Sequence, residues 1–577
     1  MVIMYLDYAN IKSSSGKIHR RVLLRESYRE KGQVRKKTLA NLSALPEDLV
    51  NLIGSQIGAK VKAAGRVSVD VGCVVVPVGL KFGALYVLHY LAKDLGIVQA
   101  LGSSIQAGLI GWLVYARLLF QGSRLRATRK SCQYAVKSVL GLDPIMTDDL
   151  YASLDWLAEN QEQIENKLMQ PKVNKKGGLF LYDVTSCYFE GEQNELADYG
   201  YNRDGKKGKK QIVIGLLTDV EGEPLSIEVF PGNTPDPTTC SARIEDIKRR
   251  FGVDSLTLVG DRGMIKGPQI EKILKHGWNY ITSITKPQIE KLIKDRVFQM
   301  GLFEEVIHEV IEGSIRYVVR RNPQRAEQIQ KTRQEKLKKL QSKAAERIKY
   351  LAKHPKAKET AAKKHILTWA KKMKIEHWVE VTAENRVITI RVNEPLLQEE
   401  AKLDGCYAIK TNVTDSTRLS MQQAHDRYTD LAQVEWAFRT MKTTLLENRP
   451  IYHRPESSSG QALEQRTRAV CFISMLAYKI ARSIACPELD SGTKSLSPHT
   501  DELLMLMFPQ DKHEARQQAF PLEDILSELD MIQETTWQAG NLILPIILTP
   551  SPISEKILSL LKIKLPIPKG CLAMCPQ

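Results

Sequence analysis

The window YTDLAQVEWAFRTMK, residues 428–442, combines one carboxylate, two cations and a tyrosine in a pattern typical of a helix. At about 100° per residue, its charged and phenolic side chains fall on one edge. These are Tyr428, Glu435, Arg439 and Lys442. The adjoining apolar face comprises Leu431, Val434, Phe438, Met441 and Leu445. A lone carboxylate flanked by cations beside a buried stripe suits a metal-and-phosphate site, although an ordinary amphipathic helix with a Glu435–Arg439 pair fits the same window.

Two further carboxylates stand at or near the ends of short apolar runs that predict β-strands. Asp183 lies in GLFLYDVTS, residues 178–186, and Asp261 directly follows LTLVG, residues 256–260. An aspartate in a buried strand costs free energy unless it is paired or binds a metal ion. For either aspartate alone, a capping or turn role is the competing interpretation. Two such residues together with Glu435, each on a regular element of one α/β unit, favour a shared acidic site.

The three acids lie in motifs similar to those of a known family. YDVTS around Asp183, VGDRGM around Asp261 and the pattern Y-x2-L-x3-E-x6-K over 428–442 resemble the carboxylate motifs of bacterial insertion-sequence DDE transposases. The resemblance is to the branch with a Tyr-Arg-Glu-Lys signature around the last acid. The segments ENRPIYH (447–453) and GYNRDGKKGKK (200–210) are also similar to that branch.

The chain departs from that signature at the arginine position, which is Leu431 here. The helical pattern places Leu431 in the apolar stripe and Arg439 on the same face as Glu435. Arg439 is therefore the residue that we expect to contact phosphate in its place.

The resemblance implies a fold, a reaction and a set of site residues. The implied fold is α/β: an RNase H-like mixed-sheet core interrupted by an inserted basic α+β domain, with an N-terminal β-hairpin and a helical DNA-binding region. The implied function is a transposase that binds terminal inverted repeats, cleaves DNA and joins the freed 3′-hydroxyls to target DNA. Two Mg²⁺ ions, replaceable by Mn²⁺, would be held by Asp183, Asp261 and Glu435. The partners implied are double-stranded DNA, as element ends and target, and a second copy in a homodimer on DNA.

The expected DNA contacts come from the predicted helix that carries Glu435 and from two loops. They are Tyr428, Arg439, Lys442, Arg449, His453, Arg203, Lys206 and Lys207. An ordinary surface loop fits Arg449 and His453 as well, and a plain hairpin tip fits the basic run 203–210. Two other functions remain open: an RNase H-like nuclease without strand transfer, and a catalytically inactive DNA-binding regulator.

The charge balance agrees with a polyanionic partner. The chain carries 83 Lys plus Arg against 66 Asp plus Glu, a net charge of +17 with a pI near 9.2. Residues 320–374 hold 19 basic and four acidic side chains, so this segment alone accounts for +15. We expect it to follow DNA phosphates, with binding that depends on salt. A solvated helical hairpin is the alternative.

Cysteine usage and hydropathy bear on the compartment. The nine cysteines show no paired zinc spacing, and a disulfide framework is not expected in a chain of this length. The most apolar stretch, 108–121, is too short for a membrane span and contains Arg117. We therefore expect a bacterial cytoplasmic, nucleoid-associated protein without a membrane partner.

Composition shifts divide the chain into six segments. Asp261 and Glu435 are far more distant than one crossover requires, which predicts an insertion between them. The predicted segments are an N-terminal β-hairpin region (1–45), a helical end-DNA-binding domain (46–172), the N-terminal half of the catalytic core (174–290), an inserted basic domain (291–405), the C-terminal half of the catalytic core (406–486) and a C-terminal region (487–577).

Overall fold

A computed structural model describes most of the chain. The described ranges are 3–12, 18–30, 33–46, 49–50, 53–54, 57, 74–75, 78–173, 178–190, 194–251, 255–442, 446, 463–485, 522–539 and 542–566. Two compact units are present. The first comprises residues 1–78, 535–546 and 568–577, and the second comprises 79–534 and 547–567.

The first unit contains an antiparallel three-stranded sheet of β1 (Ile3–Lys12), β2 (Ile18–Glu30) and β3 (Gln33–Asn41), in the order β1-β2-β3. The sequence predicts a β-hairpin within residues 1–45, and β2 and β3 form such an antiparallel pair. The sequence prediction of a single hairpin was incomplete, because the alternating residues before Lys12 form a further strand against β2. In the same unit, β4 (Val74–Val75) pairs with the end of β16 (Gln533–Ala539).

The second unit begins with β5 (Leu80–Lys81), which pairs with Gln533 and Glu534, the two residues of β16 that belong to this unit. It continues as a largely helical block. Its helices are α1 (Gly83–Asp94), α2 (Ile97–Leu101), α3 (Ile105–Leu119), α4 (Arg124–Ser131), α5 (Val136–Leu140) and α6 (Thr147–Val173). The apolar stretch around Trp112 forms α3, and Trp112 is fully buried. Among the described residues, no helix has the length and apolar character that a membrane crossing needs.

An eight-stranded mixed sheet forms the centre of the second unit, in the order β11-β12-β15-β10-β9-β6-β7-β8. Its strands are β6 (Gly178–Tyr188), β7 (Gln211–Asp219), β8 (Pro224–Pro231), β9 (Leu256–Gly260), β10 (Asn279–Ser283), β11 (His308–Glu312), β12 (Ile315–Arg321) and β15 (Cys406–Thr411). The neighbours β6, β9 and β10 are parallel, and every other pairing in the sheet is antiparallel.

Further helices of this unit connect the strands or follow the sheet. They are α7 (Asp236–Phe251), α8 (Gly267–Lys275), α9 (Lys286–Lys294), α13 (Met421–Thr429), α14 (Leu431–Lys442), α15 (Leu463–Ala485), α16 (Leu522–Leu529) and α17 (Pro552–Leu560). The strand β17 (Leu542–Ile547) belongs to the first unit, except for its last residue. Helix α15 packs against α6, and the buried Arg466 donates two hydrogen bonds of 2.7 Å to the Asp155 carboxylate between them.

The segment predicted as an insertion, 291–405, begins inside the sheet. Its first residues form β11 and β12, which extend the sheet beyond β15. The remainder forms α10 (Pro323–Lys353), α11 (Glu359–Met373), β13 (Val379–Glu384), β14 (Val387–Val392) and α12 (Glu394–Ala401). These elements enclose a separate apolar core that includes Leu340, Ile366 and Trp378. The portion outside the sheet is therefore 323–401, since the alternating runs before it pair as strands.

Candidate functional site

Strand register brings the first two acids to the same level. On the parallel pair β6 and β9, Tyr182 lies opposite Gly260. Asp183 therefore stands beside Asp261, which directly follows β9. Asp183 belongs to a mostly buried strand, and its carboxylate accepts a 2.8 Å hydrogen bond from the Val184 N–H. The two motifs predicted from the sequence thus meet at one edge of the parallel strands.

Glu435 reaches the same place from helix α14, which packs on β6. A cavity of about 370 Å³ is lined by all three predicted acids. Its full lining is Asp183, Val184, Thr185, Arg203, Asp236, Asp261, Met264, Glu435, Phe438, Arg439 and Lys442. The apolar stripe of α14 anchors this helix: Leu431, Val434, Phe438 and Met441 are buried, and Leu445 lies outside the described residues.

The sequence pattern predicted one helix over residues 428–442, and this prediction was wrong. Helix α13 ends at Thr429 and α14 begins at Leu431, with Asp430 between them. Asp430 lies 3.2 Å from the Arg427 guanidinium and forms an ion pair with it at the break. The helical spacing of the sequence did not indicate this break.

Tyr428 therefore stands on α13 and reaches the site from a different direction. Its hydroxyl lies 2.8 Å from the Ser283 Oγ and 3.3 Å from the Asp261 Oδ1. Burial raises the pKa of Tyr428 to about 12, and the neighbouring Asp261 carboxylate adds to the shift. Tyr428 is thus a neutral hydroxyl that holds the second acid in place.

Lys442 contacts protein groups rather than standing free at the cavity. Its Nζ donates to the Thr185 Oγ1 at 2.6 Å, to the Asp204 Oδ1 at 3.1 Å and to the backbone carbonyl of Ser186. The side chains of Lys442 and Asp204 are only 10% and 3% exposed. These contacts tie the end of α14 to β6 and to the loop before β7.

Arg439 and Leu431 occupy the places that the helical pattern predicted. Arg439 is exposed and lines the cavity beside Glu435. Leu431 is buried in the main apolar core, where it is 9% exposed. A charged side chain at position 431 would be buried among apolar groups, which costs free energy.

Of the three predicted DNA contacts in the basic loop 200–210, one lines the cavity. Arg203 lines it, and its guanidinium lies 2.7 Å from the Asp236 Oδ2. Lys206 and Lys207 are exposed and are not among the cavity's lining residues, and the Lys206 Nζ lies 5.7 Å from the centre of the Tyr188 ring. The predicted DNA contacts Arg449 and His453 lie outside the described residues.

Sequence reasoning missed two acids that belong to this region. Asp236 lines the cavity at the start of α7, and Asp204 accepts from both the Tyr188 N–H and Lys442. Asp236 follows Thr-Pro and precedes Pro, which reads as an ordinary helix start, and Asp204 lies in an Arg-Asp-Gly turn. Neither pattern by itself indicates a site.

The acids repel one another, as expected of a site that holds cations. Burial raises the pKa of Asp183 to about 7, and the nearby Glu435 and Asp261 carboxylates add to this, while the Val184 N–H and Arg203 oppose it. The donors are all carboxylate oxygens, which suit hard divalent cations such as Mg²⁺. Within the described ranges, no three His, Cys, Asp or Glu side chains form a group close enough to hold one metal ion. The fit to divalent ions therefore lies in the chemistry of the three carboxylates.

Three carboxylates from distant motifs thus line one cavity of an α/β protein, an arrangement that suits the binding of divalent cations. The family model described as Transposase DDE domain matches residues 174–464, half of the chain. A second model, IS1634 family transposase, N-terminal domain, matches residues 9–64. The chain belongs to the DDE transposase family and is an insertion-sequence transposase, which confirms the resemblance found in its motifs.

Similarity to individual proteins is much weaker. No curated protein matches the chain significantly. A solved structure described as the cryo-EM structure of the piggyBac transposase synaptic complex with hairpin DNA is similar over 78% of this chain and 82% of that chain. The identity is 10% and the TM-score is 0.34, too low to define the fold of this chain.

Proposed function

We propose that this transposase binds the terminal inverted repeats of its element, cleaves DNA there and joins the freed 3′-hydroxyls to target DNA. The observation that carries the proposal is the meeting of Asp183, Asp261 and Glu435 around one cavity, although Glu435 follows Asp261 only after a long insertion. Covalent catalysis by Ser186 or Cys187 is disfavoured, because both side chains are buried in β6.

The three acids are the residues that would hold two Mg²⁺ ions. When bound, such ions activate the attacking water or 3′-hydroxyl and neutralise charge on the leaving oxygen. Burial and the neighbouring carboxylates raise the pKa of Asp183, and a bound cation would lower it again, because a nearby positive charge favours the carboxylate form. The order β8-β7-β6-β9-β10, with β6, β9 and β10 parallel, supports an RNase H-like core.

The remaining cavity residues divide into those that bind and those that position. Arg439 is exposed beside Glu435 and would contact a DNA phosphate, and Arg203 would do so from the opposite loop. Tyr428 orients Asp261 through its hydrogen bond. Lys442 holds α14 against β6 and so fixes the approach of Glu435.

DNA outside the cavity would lie on basic surfaces. Helices α10 and α11 form most of residues 320–374, the segment with a net charge of +15, and many of their lysines are exposed. Helix α4, with the sequence RLRATRKS, adds a basic cluster to the block that we assign to end recognition. We further propose that two copies assemble on the two element ends.

Cleavage by variants of the three acids tests this function. The substrate is duplex DNA carrying the junctions at both ends of the element, incubated with the protein and Mg²⁺. Asp183→Asn, Asp261→Asn and Glu435→Gln should each abolish cleavage and leave DNA binding within a few-fold of wild type. Glu271→Gln, at an exposed glutamate on α8, is the matched control and should cleave normally. Normal cleavage by any acid variant overturns that residue's assignment, and cleavage without strand transfer by the wild type indicates a nuclease.

A further inference from the structure

A cavity of about 880 Å³ lies where the inserted elements 323–401 meet the end of the central sheet. Helices α10 and α12 form one side of it, through residues that include Leu337 and Leu397. The other side includes Phe303, which precedes β11, and Arg321, the last residue of β12. Cavities of about 300–1,000 Å³ are those in which proteins bind small organic molecules. This cavity shares no lining residue with the one lined by the three acids.

The cavity separates two apolar cores. Leu337, Trp378 and Leu397 belong to the core of the inserted elements. Phe303 belongs to a different core, together with Val319 of the sheet. The apolar side chains that face the cavity lack the packing contacts that an occupied space would give them. A ligand with an apolar body would therefore gain free energy by removing their surface from water.

Two aromatic residues contribute to the lining. Phe303 is 6% exposed and Trp378 is 1% exposed. The Trp378 Nε1 is buried and donates to no partner in the part of the chain that the structure describes. An unpaired buried N–H is costly, so a ligand that brings an oxygen acceptor to this wall would recover free energy. Aromatic rings also attract organic cations through the negative potential of their faces.

The charge of the lining favours a cation as well. Three exposed glutamates line the cavity: Glu304, Glu305 and Glu327. The lining cations are Arg321 and Arg333, and the Arg333 Nη1 lies 2.8 Å from the Oδ2 of the buried Asp404, which also lines the cavity. Four acids against two arginines leave a formal charge of −2, in a chain whose net charge is +17.

The glutamates are open to a ligand because their contacts within the protein are weak ones. The Glu327 carboxylate lies 2.9 Å from the Lys331 Nζ, and the Glu304 carboxylate lies 3.3 Å from the His308 Nε2. Both pairs lie on an accessible surface, where an ion pair contributes little to stability. A ligand cation can therefore replace these contacts at small cost.

We propose that this cavity binds an organic cation that has an apolar body and an oxygen acceptor. The body packs between Phe303 and the leucines of α10 and α12, and the cationic group faces the glutamates. The acceptor receives the N–H of Trp378. Because the inserted elements and the sheet both contribute to the lining, the occupant bridges them and stabilises the folded chain. The site is separate from DNA cleavage, and its binding is measured without DNA.

Two probe molecules of nearly identical shape test the site. Benzoylcholine has a phenyl ring, an ester carbonyl and a trimethylammonium group, and 3,3-dimethylbutyl benzoate has a neutral tert-butyl group in place of the ammonium. Titration calorimetry on the full chain measures the affinity of each. Benzoylcholine should bind at one molecule per chain and about tenfold more tightly than the neutral ester. Equal affinities, or no benzoylcholine binding at millimolar concentration, overturn the proposal.

A substitution that fills the cavity locates the bound probe. Leu397→Trp should abolish benzoylcholine binding, because the larger side chain occupies the space. Leu396→Trp is the matched control, since Leu396 is exposed and is not among the lining residues. Wild-type affinity in Leu397→Trp would place the probe elsewhere and overturn the site. If Leu397→Trp lowers the thermal midpoint, the exposed glutamates decide the matter alone.

The glutamates can be neutralised without changing either core. The variant Glu304→Gln, Glu305→Gln, Glu327→Gln should bind benzoylcholine as weakly as the neutral ester and should leave binding of the ester unchanged. The control Glu312→Gln, Glu335→Gln, Glu346→Gln removes the same charge from exposed positions outside the lining and should bind as wild type does. No loss in the lining variant, or an equal loss in both variants, overturns the proposal.

Discussion

The Nζ of Lys442 lies 3.1 Å from the Oδ1 of Asp204, in an ion pair that is almost entirely buried. This contact joins the helix that carries Glu435 to the loop that follows the first acidic motif. Thr185 and the Ser186 carbonyl complete the surroundings of the ammonium group. The resemblance to the family had assigned Lys442 to DNA phosphate, and its place in the structure gives it a positioning role as well.

Breaking this pair should destabilise the protein, because a buried charge would lose its partner. Lys442→Met should lower the free energy of unfolding by about 3 kcal/mol. The double variant Lys442→Met with Asp204→Asn should lose less than the sum of the two single variants. The measurement is the denaturation midpoint of each protein, with Lys207→Met as an exposed control. Unchanged stability in Lys442→Met, with weaker DNA binding alone, would refute the positioning role.

The three motifs around Asp183, Asp261 and Glu435 were predictable because strand ends and helical spacing are local patterns. Their meeting at one cavity agrees with the prediction. The partners of Lys442 were not predictable, because Asp204 is 238 positions away from it. The helix break at Asp430 was missed, since the apolar spacing of α14 continues without a Pro or Gly to mark its start.

The same distinction applies to whole elements of the fold: helices follow from local sequence patterns, whereas strand pairing depends on residues far apart in the chain. The helices of 83–173 and the helical hairpin of α10 and α11 follow from periodicity and composition. The membership of β11 and β12 in the central sheet depends on pairing with β15, nearly 90 residues later. No pattern within 308–321 could indicate that partner.

The pH dependence of stability should reveal the protonation of Asp183. Its pKa is raised from an ordinary value of 3.8 to about 7, so the folded protein binds this proton more tightly than the unfolded chain. The resulting stabilisation is fully present below about pH 4 and is lost as pH rises to about 7. In metal-free protein, the difference in thermal midpoint between wild type and Asp183→Asn should therefore change over this window. A constant difference across it would contradict the assignment.

Divalent ions should stabilise the protein more as pH rises, because metal and proton compete for Asp183. Adding Mg²⁺ should raise the thermal midpoint of wild type more at pH 8 than at pH 5.5. Asp183→Asn should show little response at either pH. An Mg²⁺ effect that is independent of pH and present in the variant would place the ion elsewhere.

The basic helices should set much of the salt dependence of DNA binding. The variant Lys338→Gln, Lys349→Gln, Lys353→Gln removes three exposed charges from α10. The slope of log K against log salt should become shallower by about 0.9 for each lysine that contacts a phosphate. The matched control is Lys275→Gln, Lys291→Gln, Lys294→Gln, three exposed lysines on α8 and α9. Equal slopes for wild type and the α10 variant would make this helix a spacer.

The number of Mn²⁺ ions bound per chain, measured by electron paramagnetic resonance on the complex with element-end DNA, tests the central claim most directly. Wild type should bind two ions at the cavity. Asp183→Asn should lose both, whereas Asp261→Asn and Glu435→Gln should each lose one. Two ions retained by all three variants would show that these acids do not form the metal site, and would contradict the account.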